Sequence, residues 1–254
     1  MKHYPTKQHE KAARKFVEIF AEDSRVKTIL LMCSCARGKA VKDSCLDMGL
    51  IIKDMKDYEK IKNKTEKLNK SVKEFKELSK AGKYSHIGVY IATGKIKPDK
   101  RDWTSGPDEF ELEIGNVFKY SIVLLDKNNY FKKLSKKYLP YYNWSLRKKR
   151  LAEVKMFCLN NLNHIPLYAK RKLYFQAFDR LYKANQEFMQ ALFIKKKIYP
   201  ISYTKWVKEQ FVEILKMPEL YKKIVNIIQI KKFESNETAR KAKSLKKLVK
   251  KYIK

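Results

Sequence analysis

Between Cys33 and Asp47 the chain holds most of the residue types that grip phosphate. The stretch runs Cys33-Ser34-Cys35-Ala36-Arg37-Gly38-Lys39, then a basic loop, then Ser44-Cys45-Leu46-Asp47. Apolar runs flank it on both sides, so it reads as strand, small-residue turn, loop, strand. A hydroxyl such as Ser34 and exposed backbone N–H groups at the end of a strand form a cradle for phosphate oxygens. Arg37 and Lys39 would add positive charge, Gly38 a tight turn, and Ser44 a second hydroxyl. An acidic side chain on the following strand, here Asp47, can hold Mg²⁺ against such phosphates.

The four cysteines invite a competing reading. Cys33, Cys35 and Cys45 lie close in sequence, with Cys158 far away. Zinc sites favour two residues between paired cysteines and a second pair downstream. One residue separates Cys33 from Cys35, no second pair follows, and His3, His9, His86 and His164 are scattered. Zinc is therefore not expected.

The stretch resembles the nucleotidyltransferase superfamily related to DNA polymerase beta. Members commonly read Gly-Ser-x-Ala-Arg-Gly-x-Ala-x-x-Asp-Ser-Asp-x-Asp, and Ser34, Ala36, Arg37, Gly38, Ala40, Asp43, Ser44 and Asp47 match without gaps. The resemblance implies that an NTP such as ATP sits on Ser34, Arg37, Gly38, Lys39 and Ser44. Asp47 would then be both the metal ligand for Mg²⁺ and the catalytic carboxylate. Two departures matter. Cys33 replaces the first glycine, and Cys45 replaces the first aspartate of the metal pair. A neutral thiol is a poor ligand for Mg²⁺, which prefers oxygen. The family's third carboxylate comes from a later strand, yet the best strand here, Tyr84 to Ala92, has no Asp or Glu. Gly88 takes the equivalent place. Glu109, Glu111 and Glu113 follow, and they read as the solvated side of a helix whose inner face is Phe110, Ile114, Val117 and Phe118.

Elements that would position this corner can be read along the chain. Residues 7–22 form a helix with Ala12, Ala13, Phe16, Val17 and Phe20 on one face. Val26 to Cys33 and Leu46 to Lys53 are the two strands. A long helix follows, striped by Tyr58, Ile61, Thr65, Leu68, Val72, Phe75 and Leu78, and ended by Gly82. Tyr84 to Ala92 and Ser121 to Leu125 are further strands, and Asp108 to Lys119 is a short helix. From Trp144 onward the pattern is helical, over 144–163, 167–195, 203–216, 218–231 and 236–253, with breaks at Pro166, Pro200 and Pro218. The fold class is thus α+β: a small mixed sheet with helices over residues 1–140, then an all-α bundle over residues 141–254 with a basic terminal helix. The segments Trp103 to Asn116 and Leu192 to Trp206 resemble family members in which such a bundle helps bind the acceptor. On that resemblance Lys205 and Trp206 are acceptor-binding candidates. The plainer alternative makes Trp206 bundle core beside Phe193 and Phe211.

Charge narrows the partners. Across 254 residues, 59 Lys+Arg face 27 Asp+Glu, a formal +32. Between residues 144 and 254 alone the counts are 28 and 8. Such a surface attracts polyanions, and RNA suits it better than a cationic drug as acceptor. Surface lysine can also reflect coding bias or habitat. No apolar run approaches the roughly 20 residues of a membrane span, and the first residues lack a signal-peptide stretch, so a cytoplasmic location is expected. Three function classes stand. The first is an enzyme moving a nucleoside monophosphate from an NTP to an acceptor such as RNA. The second is a catalytically degenerate relative that binds nucleotide or RNA, and the third a protein acting at a membrane surface through its basic last helix.

Overall fold

A computed structural model describes residues 3–100, 102 and 105–253. Trp103, Thr104 and Lys254 from the segments discussed above lie outside the described residues. The class is α+β, as expected, with one mixed four-stranded sheet. Two compact units are present: Met1–Ile96 with Ile114–Pro140, and Lys97–Glu113 with Tyr141–Lys254.

The first unit opens with helix α1 (Lys7–Ala21). Thr6 caps it, its hydroxyl accepting the His9 N–H at 3.3 Å, which satisfies a donor the helix cannot. Strands β1 (Val26–Leu31), β2 (Leu46–Ile52), β3 (Ile87–Ala92) and β4 (Ile122–Asp126) order as β3-β2-β1-β4. β1 runs antiparallel to both β2 and β4, whereas β2 and β3 are parallel. The near-continuous apolar character of β1 and β2 follows from their central places, which leave both faces covered. Phe16 and Phe20 of α1 pack with Ile29, Leu31, Met48 and Leu50 in one buried cluster.

The single long helix expected after β2 is two. α3 (Tyr58–Ser71) ends where Val72 turns extended, at φ −72° and ψ 130°, and α4 (Lys73–Ser79) resumes. The apolar stripe survives because Ile61, Phe75 and Leu78 are all buried on the far sides of that break. The four-residue α2 (Cys33–Ala36) lies between β1 and β2, α5 (Phe110–Ile114) between β3 and β4, and α6 (Tyr130–Ser135) after β4. The expected helix over 108–119 is α-helical only in α5 and continues as a π-turn from Gly115 to Lys119.

In the second unit, α7 (Trp144–Lys170) and α8 (Tyr174–Lys196) form the main hairpin. Pro166, read from sequence as a break, lies inside α7. A proline there forfeits one backbone hydrogen bond, at about 3 kcal/mol. Burial of Leu162, Ile165 and Ala169 on both sides offsets that cost. α9 (Val207–Glu209), α10 (Pro218–Ile228) and α11 (Glu237–Tyr252) complete the bundle. Leu245 and Val249 of α11 join the cluster of Phe188, Leu192 and Phe211, so the basic last helix docks its apolar face on its own bundle.

Candidate phosphate-binding corner

Pairing of β1 with β2 puts Leu31 opposite Met48, so the end of one strand meets the start of the other. The backbone closes the corner, Met32 N–H donating to Asp47 O at 2.9 Å. The turn that follows is wound tightly: Ala36, Arg37 and Gly38 N–H donate to the carbonyls of Met32, Cys33 and Cys35. Gly38 sits at φ +67°, a left-handed conformation that suits glycine. Cys33 also sits there, at φ +53°, where the family resemblance had a glycine. A side chain at such an angle costs about 1–2 kcal/mol.

Ser34 is half-buried at this corner, and its carbonyl accepts the Lys39 N–H at 2.9 Å. Arg37 is half-buried close to Cys33, and its charge opposes the upward push on that thiol. Lys39 is exposed. Ser44 is turned into the loop, its Oγ accepting the Val41 N–H at 2.9 Å. Asp43 is likewise used structurally, accepting the Lys83 N–H at 3.0 Å. Ser34, Arg37, Gly38 and Asp47 therefore surround the strand ends, with Lys39 at the rim.

The surroundings of Asp47 decide what the corner can hold. Cys45 Sγ lies 3.3 Å from both carboxylate oxygens, donating its S–H to them. The Asp47 charge also acts on the Cys33 thiol. Burial, reinforced by the Asp47 charge, pushes the Cys33 and Cys35 thiols up to about 12. Both are protonated at neutral pH. On the other flank the parallel ladder pairs Asp47 with Gly88, the residue the resemblance set at the place of the family's third carboxylate. A Cβ on Gly88 would fall 2.9 Å from Asp47 Oδ1. One carboxylate between two protonated thiols and a glycine does not fit Mg²⁺, which takes several oxygens and refuses neutral sulfur. Among the described residues no group of three or more His, Cys, Asp or Glu side chains could hold a metal ion.

Sequence reasoning missed the residue that anchors this loop. His9 is fully buried, its Nδ1 2.8 Å from Thr6 Oγ1 and its Nε2 2.9 Å from Ser44 O. It ties α1 to the strand-to-strand loop. Its position on the apolar side of α1, next to Ala12 and Ala13, was the available signal.

Elsewhere two expectations are corrected. Glu111 is not on a solvated helix face. It is fully buried and shares Arg150 with Asp108, at contacts of 2.6 to 2.9 Å, while Tyr142 OH donates to it at 2.6 Å. Trp206 is not bundle core. It is 41% exposed at φ +59°, next to exposed Lys205. The helix expected from 203 starts late because buried Gln210 holds the preceding turn. Its amide donates to Ser202 O and Lys205 O and accepts the Ile201 N–H at 2.7 Å.

Compared with known proteins, the chain matches no family model and no curated protein. Among solved structures it is similar to a nucleotidyltransferase-like protein from Exiguobacterium sibiricum 255-15. The identity is 13% and the TM-score 0.48, over 95% of this chain and 74% of that one. No helix among the described residues is long and apolar enough to cross a membrane.

Proposed function

We propose that the corner from Cys33 to Asp47 binds the phosphates of a nucleoside triphosphate, and that the protein is a nucleotide- and RNA-binding module, not a transferase. The observation that carries this reading is the pairing of Asp47 with Cys45 on one side and Gly88 on the other. Both are places where the family resemblance puts carboxylates. Nucleotidyl transfer depends on charge stabilisation by metal and positioned carboxylates, so their loss removes the chemistry and leaves the grip. Ser34 and Arg37 supply that grip, with Lys39 as an exposed outer charge. RNA enters as a partner through the net charge of the second unit.

Titration calorimetry with ATP, CTP and GTP tests the reading. Binding of at least one is expected, with a weaker response in Ser34→Ala and Arg37→Ala. A chain that binds none of the three has no nucleotide site here. Incubation with labelled NTPs and bulk RNA should show no incorporation; label in the RNA would restore the transferase.

A further inference from the structure

The second unit leaves a row of aromatic rings partly open to water. Phe175 is 82% exposed and Tyr182 37%. Both lie on α8 with Phe178, at i, i+3 and i+7, on the side away from buried Ala177, Leu181 and Ala184. Phe233, from the segment between α10 and α11, completes the row. Its ring centroid is 5.0 Å from Phe175 and 5.7 Å from Phe178, and Phe178 stacks on Tyr182 at 6.5 Å and 17°. A phenylalanine left in water forgoes roughly 1.5–3 kcal/mol of burial. Folding alone gives no reason to gather four rings on one face and leave the outermost open.

The edge of this face is cationic. Lys170 ends α7, Arg171 and Lys172 occupy the turn that leads into α8, and Lys231 and Lys232 precede Phe233; all five are exposed. Of the two carboxylates at the row, Asp179 is paired with Lys183 at 2.9 Å and Glu234, next to Phe233, is exposed.

We propose that this face binds single-stranded nucleic acid, unpaired bases stacking on Phe175 and its ring neighbours while phosphates are held by the surrounding lysines and Arg171. Every base has a flat π surface, so aromatic platforms between cations bind single strands with little regard to sequence. A duplex keeps its bases stacked inside and offers the rings nothing. A membrane surface is the other chemistry that aromatic and basic residues serve. The charge distribution favours the nucleic acid, because it does not stop at the patch. Arg240, Lys243, Lys247 and Lys250 are exposed along α11 as well, a field suited to a long chain of phosphates. The inference rests on the RNA half of the proposal above and not on the phosphate corner.

Fluorescence anisotropy of the full chain with a labelled oligouridylate reads it directly. Phe175→Ala combined with Phe233→Ala should weaken binding about tenfold or more. The exposure of Phe175 means that replacement leaves the fold intact, which circular dichroism checks. Lys170→Gln with Lys172→Gln should flatten the salt dependence. ATP titration should be unchanged in all of these variants. Equal affinity of variant and wild type, equal affinity for duplex and single strand, or no binding by the wild type would each overturn the proposal. So would anionic vesicles of phosphatidylserine and phosphatidylcholine that bind wild type but not Phe175→Ala, with RNA binding unaffected. A wild-type chain that binds ATP but no oligouridylate condemns this face alone; one that binds oligouridylate but no ATP condemns the corner alone.

Discussion

Asp47 and Gly88 stand opposite each other on the parallel β2–β3 ladder, and a Cβ at residue 88 would come within 2.9 Å of Asp47 Oδ1. The atom in the way is the end of a side chain that can rotate, so an acidic residue at 88 is sterically accessible. Gly88→Asp combined with Cys45→Asp would gather three carboxylates at one strand end. Without metal these repel, and the double variant should melt below wild type. Mn²⁺ should bind it, as read by electron paramagnetic resonance, and should raise its melting point. Wild type should show neither effect. Equal Mn²⁺ binding by wild type would mean that the thiol-flanked corner holds metal after all.

Thiol reactivity reports the same contact. Burial first, and the Asp47 charge second, push Cys33 and Cys35 up to about 12. Alkylation proceeds through the thiolate, so both should react slowly with iodoacetamide near pH 8. Asp47→Asn removes one of the causes while leaving burial in place. Alkylation of both should then run a few times faster, followed residue by residue by mass spectrometry. An unchanged rate at Cys33 would separate that thiol from Asp47.

The buried ion cluster of the second unit should dominate its stability. Arg150 is 1% exposed and serves two carboxylates at once. Arg150→Met leaves Asp108 and Glu111 buried without a counter-charge, at a cost of about 3–5 kcal/mol in urea unfolding. Adding Asp108→Asn and Glu111→Gln should recover much of that loss. A single variant as stable as wild type would show that the cluster is incidental.

Acid should expose the role of Asp23 in the first unit. Arg25 grips it at 2.8 and 2.7 Å and, against the opposing effect of burial, Lys64 adds a contact at 2.9 Å. These hold the carboxyl well below the usual carboxylate range. A depressed folded pKa means stability that is full above the unfolded value, near 3.9, and lost as pH falls toward the folded one. Asp23→Asn should therefore cost about 1.5–3 kcal/mol at pH 7, and the gap to wild type should narrow below about pH 4. A gap that stays constant into acid would assign the effect to shape and not to charge.

Much of this was legible in the sequence, and the reasons differ by element. The strand-turn-strand corner announced itself because its apolar runs and small residues have no other good use. Gly88 was singled out on a strand without acid, but its register against Asp47 is set by β2–β3 pairing that no local pattern encodes. Pro166 misled because local propensity says nothing about the core packed around α7. Val72 broke a helix whose apolar stripe continued across the break, so periodicity did not register the change. Glu111 was misread because its partner Arg150 lies far away in sequence, and a charged residue on an amphipathic pattern looks solvated until its counter-ion is found. His9 and Gln210 were missed for the same reason: each is a buried polar anchor whose hydrogen bonds run to a loop.

The Cys33–Asp47 corner is proposed to grip phosphate without metal. Calorimetric titration of the full chain with ATP, in EDTA and again in excess Mg²⁺, tests it most directly. Binding in EDTA should be at least as tight as in Mg²⁺, because the corner's own cations meet the triphosphate and a bound ion would only cancel its charge. Binding that appears only when Mg²⁺ is present would contradict it.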